Sequence, residues 1–468
     1  MAMTDTSLLG LRTVVTSGNR DREGAYSRQI WRRLGTIAIA AALLPGCVNT
    51  KFKTDAPKQG FVTAEEPRAA TVGRDMLAQG GSAGDAATAM ALALTASLPS
   101  RAGLGGGGVC LVFDAAKKET RTLDFLPRPA GAGGAAMPAM LRGLYALHAA
   151  TGTLRWEQVA VPAEQIARES GVSRAFAQDL AAAGNALGQD EESKRLFLAG
   201  GAPPKEGMPF RQMEFADTLS TVRRTGVGAF YGGPMTAMLA QGLGIEAAAL
   251  RAYQPRWTGT RSIPLDLTAL HFAALPGTET MVQAWNTATG TTDPAERAAR
   301  IGRALGTPAQ ARTTASAVAP GVGILAIDPQ ENAVACTFTQ GALFGTGRMV
   351  PGTGILAARG VEDASFGVPA LETNAIVGRT MFAGTGTATG NDGPAAAATA
   401  LLSVALPAVQ DRRSAGAILT AREASAPGRA SIIACQTSPE NGLKSCQPAA
   451  DPRTHGLGYL VEVEDNAD

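Results

Sequence analysis

The sequence predicts an α+β fold in which two β-sheets lie between layers of helices, a four-layer αββα sandwich. Two hairpin patterns indicate the sheets: an apolar run, a short charged turn and a second apolar run occur at residues 103–125 and again at 323–339. Helical patterns precede and follow these hairpins, and 45% of the residues are hydrophobic. Because helices and sheets must each bury an apolar face, we expect helices to cover both outer sheet faces.

The helical pattern of residues 68–99 is the first element. It is interrupted at Gly80 and Gly81, which are typical of a helix C-terminus, and it restarts with Ser82 or Asp85 as the N-cap. We therefore expect two packed helices here. The hairpin of residues 103–125 follows, and its short turn at residues 115–119 makes it antiparallel.

The remaining chain divides into a helical half and a strand-rich half. Apolar residues recur at helical spacing across much of residues 140–256, and a Pro/Ala/Gly-rich connection at about 305–321 follows. The second hairpin turns at residues 328–332. A long Ala-rich helix is expected at residues 395–409, and a last pair of strands around residues 431 and 459.

The composition excludes several classes of function. The 42 basic and 40 acidic residues give a net charge of only +2, which predicts no nucleic-acid partner. The glycine clusters match neither phosphate-binding motif, so no cofactor is expected. Only three histidines are present and none has zinc-ligand spacing, so we expect no metal site.

The first 60 residues differ from the rest. Arg32 and Arg33 precede a short apolar run that ends at Cys47, which fits an export signal over residues 1–46. The residues before Cys47 resemble a bacterial lipobox, so the sequence predicts a lipoprotein on the periplasmic face of a membrane, held there by its lipid anchor. A plain secretory signal, which would leave a soluble periplasmic protein, and a wrongly chosen start codon are the alternatives. A polar linker over 47–60 and one domain over 61–468 complete the expected organisation.

The other cysteines are expected to behave in two ways. Cys435 and Cys446 flank a loop with turn signals, and we expect a disulfide between them if the protein is exported. Cys110 and Cys336 lie in apolar, strand-like runs, and we expect them to be buried small hydrophobic residues.

Several ordered segments together resemble the γ-glutamyltransferase family. They include "GRDMLAQGGSAGDAATAMALALTASLPSRAGLGGGG", "LSTVRRTGVGAFYGGPMTAML" and "GILAIDPQENAVACTFTQGALFGTGRMVPGTGILAARGVEDAS". The resemblance implies the N-terminal-nucleophile hydrolase fold, with residues 61–320 similar to the large subunit and 321–468 similar to the small subunit. Members of the family cut their own chain, and a threonine at the new N-terminus attacks γ-glutamyl compounds such as glutathione. Its hydroxyl is the nucleophile and its freed amine is the base.

The family pattern places Gly321 at the position of this nucleophile when Asp328 and the following "NAV" fix the alignment. Glycine has no hydroxyl. Thr339 matches the threonine that supports the nucleophile, and Asp363 matches the aspartate that binds the substrate amino group. The asparagine two residues after the supporting threonine is replaced by Gly341.

Other family positions also differ. The substrate-carboxylate arginine falls on Leu126, although Arg128 lies two residues further on a strand-like run and would share its face. The paired serines fall on Ala370 and Leu371. The glycine pair of the oxyanion loop falls on residues 387 and 388.

Two functions follow as hypotheses. The first is a catalytically degenerate binding or scaffolding lipoprotein that still holds an amino-acid-like or γ-glutamyl small molecule, with an unknown protein partner. The second is an active γ-glutamyl hydrolase or transferase with an atypical nucleophile. Thr314 is then the fallback nucleophile among the nearby hydroxyls of Thr313, Thr314 and Ser316, although it lies several residues before the strand.

Overall fold

A computed structural model describes residues 58–306, 321–361, 368–388, 394–423, 425–437 and 444–463, apart from the side chains of Ala132 and Asn185. The predictions for the signal, for Cys47, for Thr314 and for Asp363 concern residues outside these ranges. The strand that opens the described chain begins at Lys58, three residues before the expected start of the domain.

Seventeen strands are present in the described ranges. Their bounds are β1 Lys58–Ala64, β2 Gly107–Asp114, β3 Glu119–Phe125, β4 Ser170–Gly171, β5 Pro209–Phe210, β6 Arg256–Thr258, β7 Thr260–Pro264, β8 Ala269–Ala273, β9 Gly321–Ile327, β10 Ala333–Thr339, β11 Met349–Val350, β12 Ile355–Leu356, β13 Pro369–Asn374, β14 Arg379–Thr387, β15 Arg429–Thr437, β16 Lys444–Ala450 and β17 Leu457–Val463.

Fourteen α-helices accompany them in the same ranges. Their bounds are α1 Pro67–Ala78, α2 Ala83–Ser97, α3 Met140–Thr151, α4 Trp156–Arg168, α5 Arg174–Ala183, α6 Glu191–Phe197, α7 Met213–Thr225, α8 Gly228–Tyr231, α9 Met235–Leu243, α10 Ala247–Ala252, α11 Thr278–Ala288, α12 Pro294–Leu305, α13 Pro394–Val409 and α14 Ala415–Thr420. None of these helices is both long enough and apolar enough to span a bilayer.

Two antiparallel sheets form the centre of the domain. The seven-stranded sheet has the order β17-β1-β9-β10-β2-β3-β6, and the six-stranded sheet has the order β16-β15-β14-β13-β8-β7. Both predicted hairpins are present, β2 with β3 and β9 with β10. Strands β10 and β2 are also neighbours, so the two hairpins form the middle of the larger sheet.

Three hydrophobic cores separate four layers. One core joins helices α1 to α10 to the outer face of the seven-stranded sheet, and another joins α11 to α14 to the outer face of the six-stranded sheet. The third core lies between the sheets and includes Phe61, Leu111, Leu325, Leu371 and Ile433. The αββα arrangement predicted from the sequence is therefore the arrangement of the described chain.

The two helices predicted at residues 68–99 are α1 and α2. Ser82 caps α2, with its hydroxyl accepting from the Asp85 amide at 3.1 Å and the Asp85 carboxylate accepting from the Ser82 amide at 2.9 Å. Every residue of α2 is buried. Its many alanines let α1 and the seven-stranded sheet approach it closely, and a Cβ added at Gly73 would lie 2.5 Å from the Met90 sulfur.

The predicted pairing of strands around residues 431 and 459 is wrong. Strand β15 pairs with β16 in the six-stranded sheet, whereas β17 pairs with β1 in the seven-stranded sheet. Both strands are apolar and close to each other in sequence, but local pattern does not determine which sheet a strand joins.

The prediction for Cys110 and Cys336 is half wrong. Both residues are fully buried as expected, but their sulfurs form a disulfide across the directly paired strands β2 and β10. The two cysteines are 226 residues apart, so the local sequence pattern does not predict their pairing. Cys435 and Cys446 form a second disulfide, between β15 and β16.

Candidate functional site

The space between the sheets changes from apolar to polar at one end of the strands. Strands β1, β9 and β14 contribute Phe61, Leu325 and Ala383 to the apolar part. Because side chains of a strand alternate between its faces, the residues two and four positions along point into the same space. At these positions the three strands or their ends have glycine, threonine or glutamate instead of apolar residues. We call this polar end of the inter-sheet space the candidate site.

Gly321 lies at the polar end as the first residue of β9. It is paired with Thr339 of β10, which is paired in turn with Gly107 of β2. The Gly321 amide donates to the carbonyl oxygen of Ala388 at 3.0 Å. A Cβ built at Gly321 would lie 3.4 Å from the Phe338 carbonyl oxygen and 3.8 Å from the Thr387 Cβ, so the position has room for a small side chain.

Glu65 directly follows β1, which is the neighbour of β9 in the seven-stranded sheet. It is fully buried, and the Thr387 hydroxyl lies 2.9 Å and 3.1 Å from its two carboxylate oxygens. Burial raises the pKa of Glu65 to about 7, although the charge of Arg101 and the hydrogen bond from Thr387 act in the opposite direction. The pair links the two sheets beside Gly321.

Gly323 allows the sheets to approach each other here. A Cβ at this position would lie 2.4 Å from the Thr385 hydroxyl oxygen and 3.1 Å from a Glu65 carboxylate oxygen. Among the described residues, the buried hydroxyls of Thr63, Thr385 and Ser431 have no hydrogen-bond partner. Unsatisfied buried hydroxyls favour ordered water or a polar ligand nearby.

Thr339 is buried at the end of β10, and its hydroxyl oxygen accepts from the Gly341 amide at 2.9 Å. Gly341 has a φ of 73°, and a Cβ there would lie 2.1 Å from the Arg359 carbonyl oxygen. The backbone therefore requires glycine where the family pattern has asparagine. The polar amide of that asparagine has no room in this arrangement.

Arg128 occupies a different setting from the one expected. Strand β3 ends at Phe125, so Arg128 does not lie on a strand, and its guanidinium binds both carboxylate oxygens of Asp124 at 3.1 Å and 2.7 Å. Arg256 donates to the same carboxylate at 2.7 Å. Burial raises the pKa of Asp124, but the hydrogen bonds from Arg128 and Arg256 outweigh it, and the net pKa is lowered. Arg128 would have to leave this ion pair to bind a substrate carboxylate.

The other replaced positions are apolar and packed. Leu126 and Leu371 belong to the inter-sheet core, and Ala370 belongs to the core beneath the second helical layer. None of these three side chains can donate or accept a hydrogen bond. The structure therefore brings together Gly321, Thr339 and residues 387–388, while Arg128 lies three strands away beside Asp124.

Glu65 belongs to none of the motifs that predict the site. Its partner Thr387 is 322 residues away, and no local motif connects them. One signal was available: Phe61, Thr63 and Glu65 alternate along a strand, which puts a carboxylate on the face that carries Phe61. A charged residue at a core-facing position is uncommon and marks a site to inspect.

The fold has solved relatives. The crystal structure of cephalosporin acylase from Bacillus halodurans superposes with a TM-score of 0.71 over 86% of this chain and 96% of that chain, at 19% sequence identity. At such identity the likeness concerns the fold alone. The comparison supports the four-layer αββα fold of the described chain.

Sequence comparison narrows the relationship. Residues 69–288 match the family described as Gamma-glutamyltranspeptidase. The chain is 31% identical over 196 residues to human glutathione hydrolase 7, covering 38% of this chain and 29% of that protein. It is also 31% identical over 211 residues to the glutathione hydrolase proenzyme of Bacillus subtilis strain 168, covering 40% and 36%. The chain is thus gamma-glutamyltranspeptidase-like, although it spans only about a third of the length of these two curated relatives.

Proposed function

We propose that this chain is an exported gamma-glutamyltranspeptidase-like protein that neither cuts itself nor transfers γ-glutamyl groups, and that acts as a binding or scaffolding lipoprotein. The observation that carries the proposal is Gly321 at the head of β9, in the position where the resemblance expects a threonine. Without a hydroxyl there, neither self-cleavage nor acyl transfer can start at that residue.

The side chains at the other family positions support the same proposal. Leu126, Ala370 and Leu371 offer no hydrogen bond to a γ-glutamyl substrate, and Arg128 is held by Asp124. A retained ligand would be an amino-acid-like molecule bound with the help of Asp363, which lies outside the described residues.

A chromogenic γ-glutamyl anilide tests the proposal. We expect the purified protein to release no anilide above the rate of buffer. The variant Gly321→Thr should be assayed beside it, because the position has room for a small side chain. Anilide release by this variant would show that the hydroxyl is the only group that catalysis lacks. Activity in the unaltered protein would overturn the proposal, whatever the variant does.

A second candidate function has one observation in its favour. The Thr387 hydroxyl and the Glu65 carboxylate form a hydrogen-bonded nucleophile and base at the position left by the missing threonine, and a pKa of about 7 suits a general base. Thr387 would attack a γ-glutamyl carbonyl and give its proton to Glu65. That proton would then pass to the leaving amine, and water would hydrolyse the resulting ester.

The two candidates are separable by mutation. If Thr387 is the nucleophile, Thr387→Val abolishes anilide release and Thr387→Ser retains part of it. Thr387 is only 1% exposed, so the structure as described gives a substrate no direct access to the hydroxyl. This burial is why we prefer the non-catalytic function.

The lipoprotein part of the proposal has its own test. Mass spectrometry of the mature N-terminus should find a diacylglycerol on Cys47, and Cys47→Ser should release the protein from the membrane fraction. An unmodified N-terminus on protein found in the soluble periplasmic fraction would refute the lipid anchor and support a plain secretory signal.

A further inference from the structure

A groove in the helical layer stands apart from the inter-sheet site. It has a volume of about 610 Å³ and lies between the end of α6, the start of α7 and the loop that joins them. The short strand β5 forms part of this loop and pairs with β4. This pairing joins the end of the loop to the connection between α4 and α5.

The groove has an apolar floor and two exposed methionines in its lining. Phe210, Phe215 and Met349 are buried beneath it. Met208 and Met213 line it with 48% and 50% of their surface exposed, which places them among the largest exposed apolar side chains of the described chain. Methionine side chains adapt to different partners, and exposed apolar surface framed by polar residues is typical of interaction sites.

The charged residues of the groove are mostly basic. Arg195 pairs with Glu192 and Glu214. The exposed side chains of Lys205 and Arg211, by contrast, form no ion pair within the described ranges. Two cations are thus left uncompensated beside an apolar surface. They favour an occupant that carries negative charge.

The chain's own linker does not suit this groove. Residues 48–59 carry three lysines, Lys51, Lys53 and Lys58, and a single acid, Asp55, so their charge has the same sign as that of the groove. This charge excludes the linker as the occupant.

We propose that this groove binds an acidic peptide segment of a partner protein, with its apolar side chains between Met208 and Met213 and its carboxylates beside Lys205 and Arg211. The proposal goes beyond the proposed function by placing a partner surface in the helical layer. It does not depend on the inter-sheet site, because peptide binding and anilide release are separate measurements.

Fluorescence anisotropy tests the proposal with the full chain. The probe is a fluorescein-labelled peptide in which glutamate alternates with leucine and phenylalanine, and a peptide with lysine in place of glutamate is the comparison. We expect saturable binding of the acidic peptide only, weakened when salt is raised from about 0.1 M to about 1 M. Equal binding of both peptides, or of neither, would overturn the proposal.

Charge reversal locates the binding surface. The double variant Lys205→Glu, Arg211→Glu should weaken binding of the acidic peptide by about tenfold or more. Lys117→Glu, Arg379→Glu makes the same change in charge at exposed residues that do not line the groove, and it should bind as the unaltered protein does. An equal loss of peptide binding in both double variants would show a general effect of net charge and would refute the groove as the binding surface. Circular dichroism melts of the variants show that each remains folded.

Discussion

Glu65 is the residue that most distinguishes this site from a purely apolar sheet interface. Its carboxyl group is buried between the sheets and bound by Thr387. Because burial raises its pKa from 4.5 to about 7, the folded protein holds a proton that the unfolded chain releases. The contribution to stability is therefore complete below about pH 4.5 and is lost as the pH rises through about 7.

The pH dependence of unfolding should show this proton. From pH 5 to pH 8 we expect the free energy of unfolding to fall more in the unaltered protein than in Glu65→Gln, by on the order of 3 kcal/mol. Urea titrations at several pH values measure the difference. Parallel curves for the two proteins would show that Glu65 does not titrate in this range.

The two glycines of β9 should respond differently to an added methyl group. Gly321→Ala places a Cβ at ordinary contact distances and should change stability by less than about 1 kcal/mol. Gly323→Ala drives a Cβ to 2.4 Å from the Thr385 hydroxyl and should cost about 2 kcal/mol more, because the sheets must separate. Urea unfolding compares the pair. An equal cost for both would contradict the packing described at Gly323.

At the scale of elements, the local sequence pattern predicts the features that depend only on residues close together in the chain. The hairpins β2–β3 and β9–β10 and the break between α1 and α2 follow from turn residues and alternation. The placement of β15 and β17 in different sheets, the disulfide between β2 and β10 and the contact between Glu65 and Thr387 depend on partners distant in sequence or on the choice of sheet. Such choices are made by packing of the whole chain.

The start of α2 is held by one carboxylate. Asp85 is fully buried and accepts from the Ser82 amide and hydroxyl, from the Thr153 amide and hydroxyl and from the Leu154 amide. Burial raises its pKa, but the hydrogen bonds from His148, Thr153 and Ser82 outweigh it, and the net pKa is well below the usual range.

Loss of this carboxylate should be costly. Asp85→Ala leaves several buried donors without an acceptor and should lower the free energy of unfolding by about 3 kcal/mol or more. Asp75→Ala removes a half-exposed carboxylate paired with Arg74 and should cost about 0.5 kcal/mol or less beyond helix effects. Chemical denaturation ranks the two variants. Equal effects would show that the buried network contributes little.

At the scale of the molecule, the four layers are held together by three hydrophobic cores, and the fold therefore does not depend on the polar end of the inter-sheet space. Leu126 belongs to the inter-sheet core and Ala370 to the core under the second helical layer, so apolar residues at these positions contribute to packing. The resemblance in sequence predicted this architecture. It could not predict Glu65, because no motif of the resemblance includes it.

The Cys110–Cys336 disulfide joins the two halves of the chain across the position at which the family resemblance would place self-cleavage. Cys110 precedes residue 321 and Cys336 follows it. A cut chain would therefore remain covalently joined under oxidising conditions, and would migrate as one species on a denaturing gel without reductant. Any test of self-cleavage must reduce this bond.

The intact mass of the purified, fully reduced protein is the most direct test of the central claim. Because Gly321 cannot start a self-cleavage reaction, we predict one species that extends through residue 321, with no new N-terminus between residues 313 and 321. Two fragments divided in that range would contradict the account and would restore a working N-terminal nucleophile.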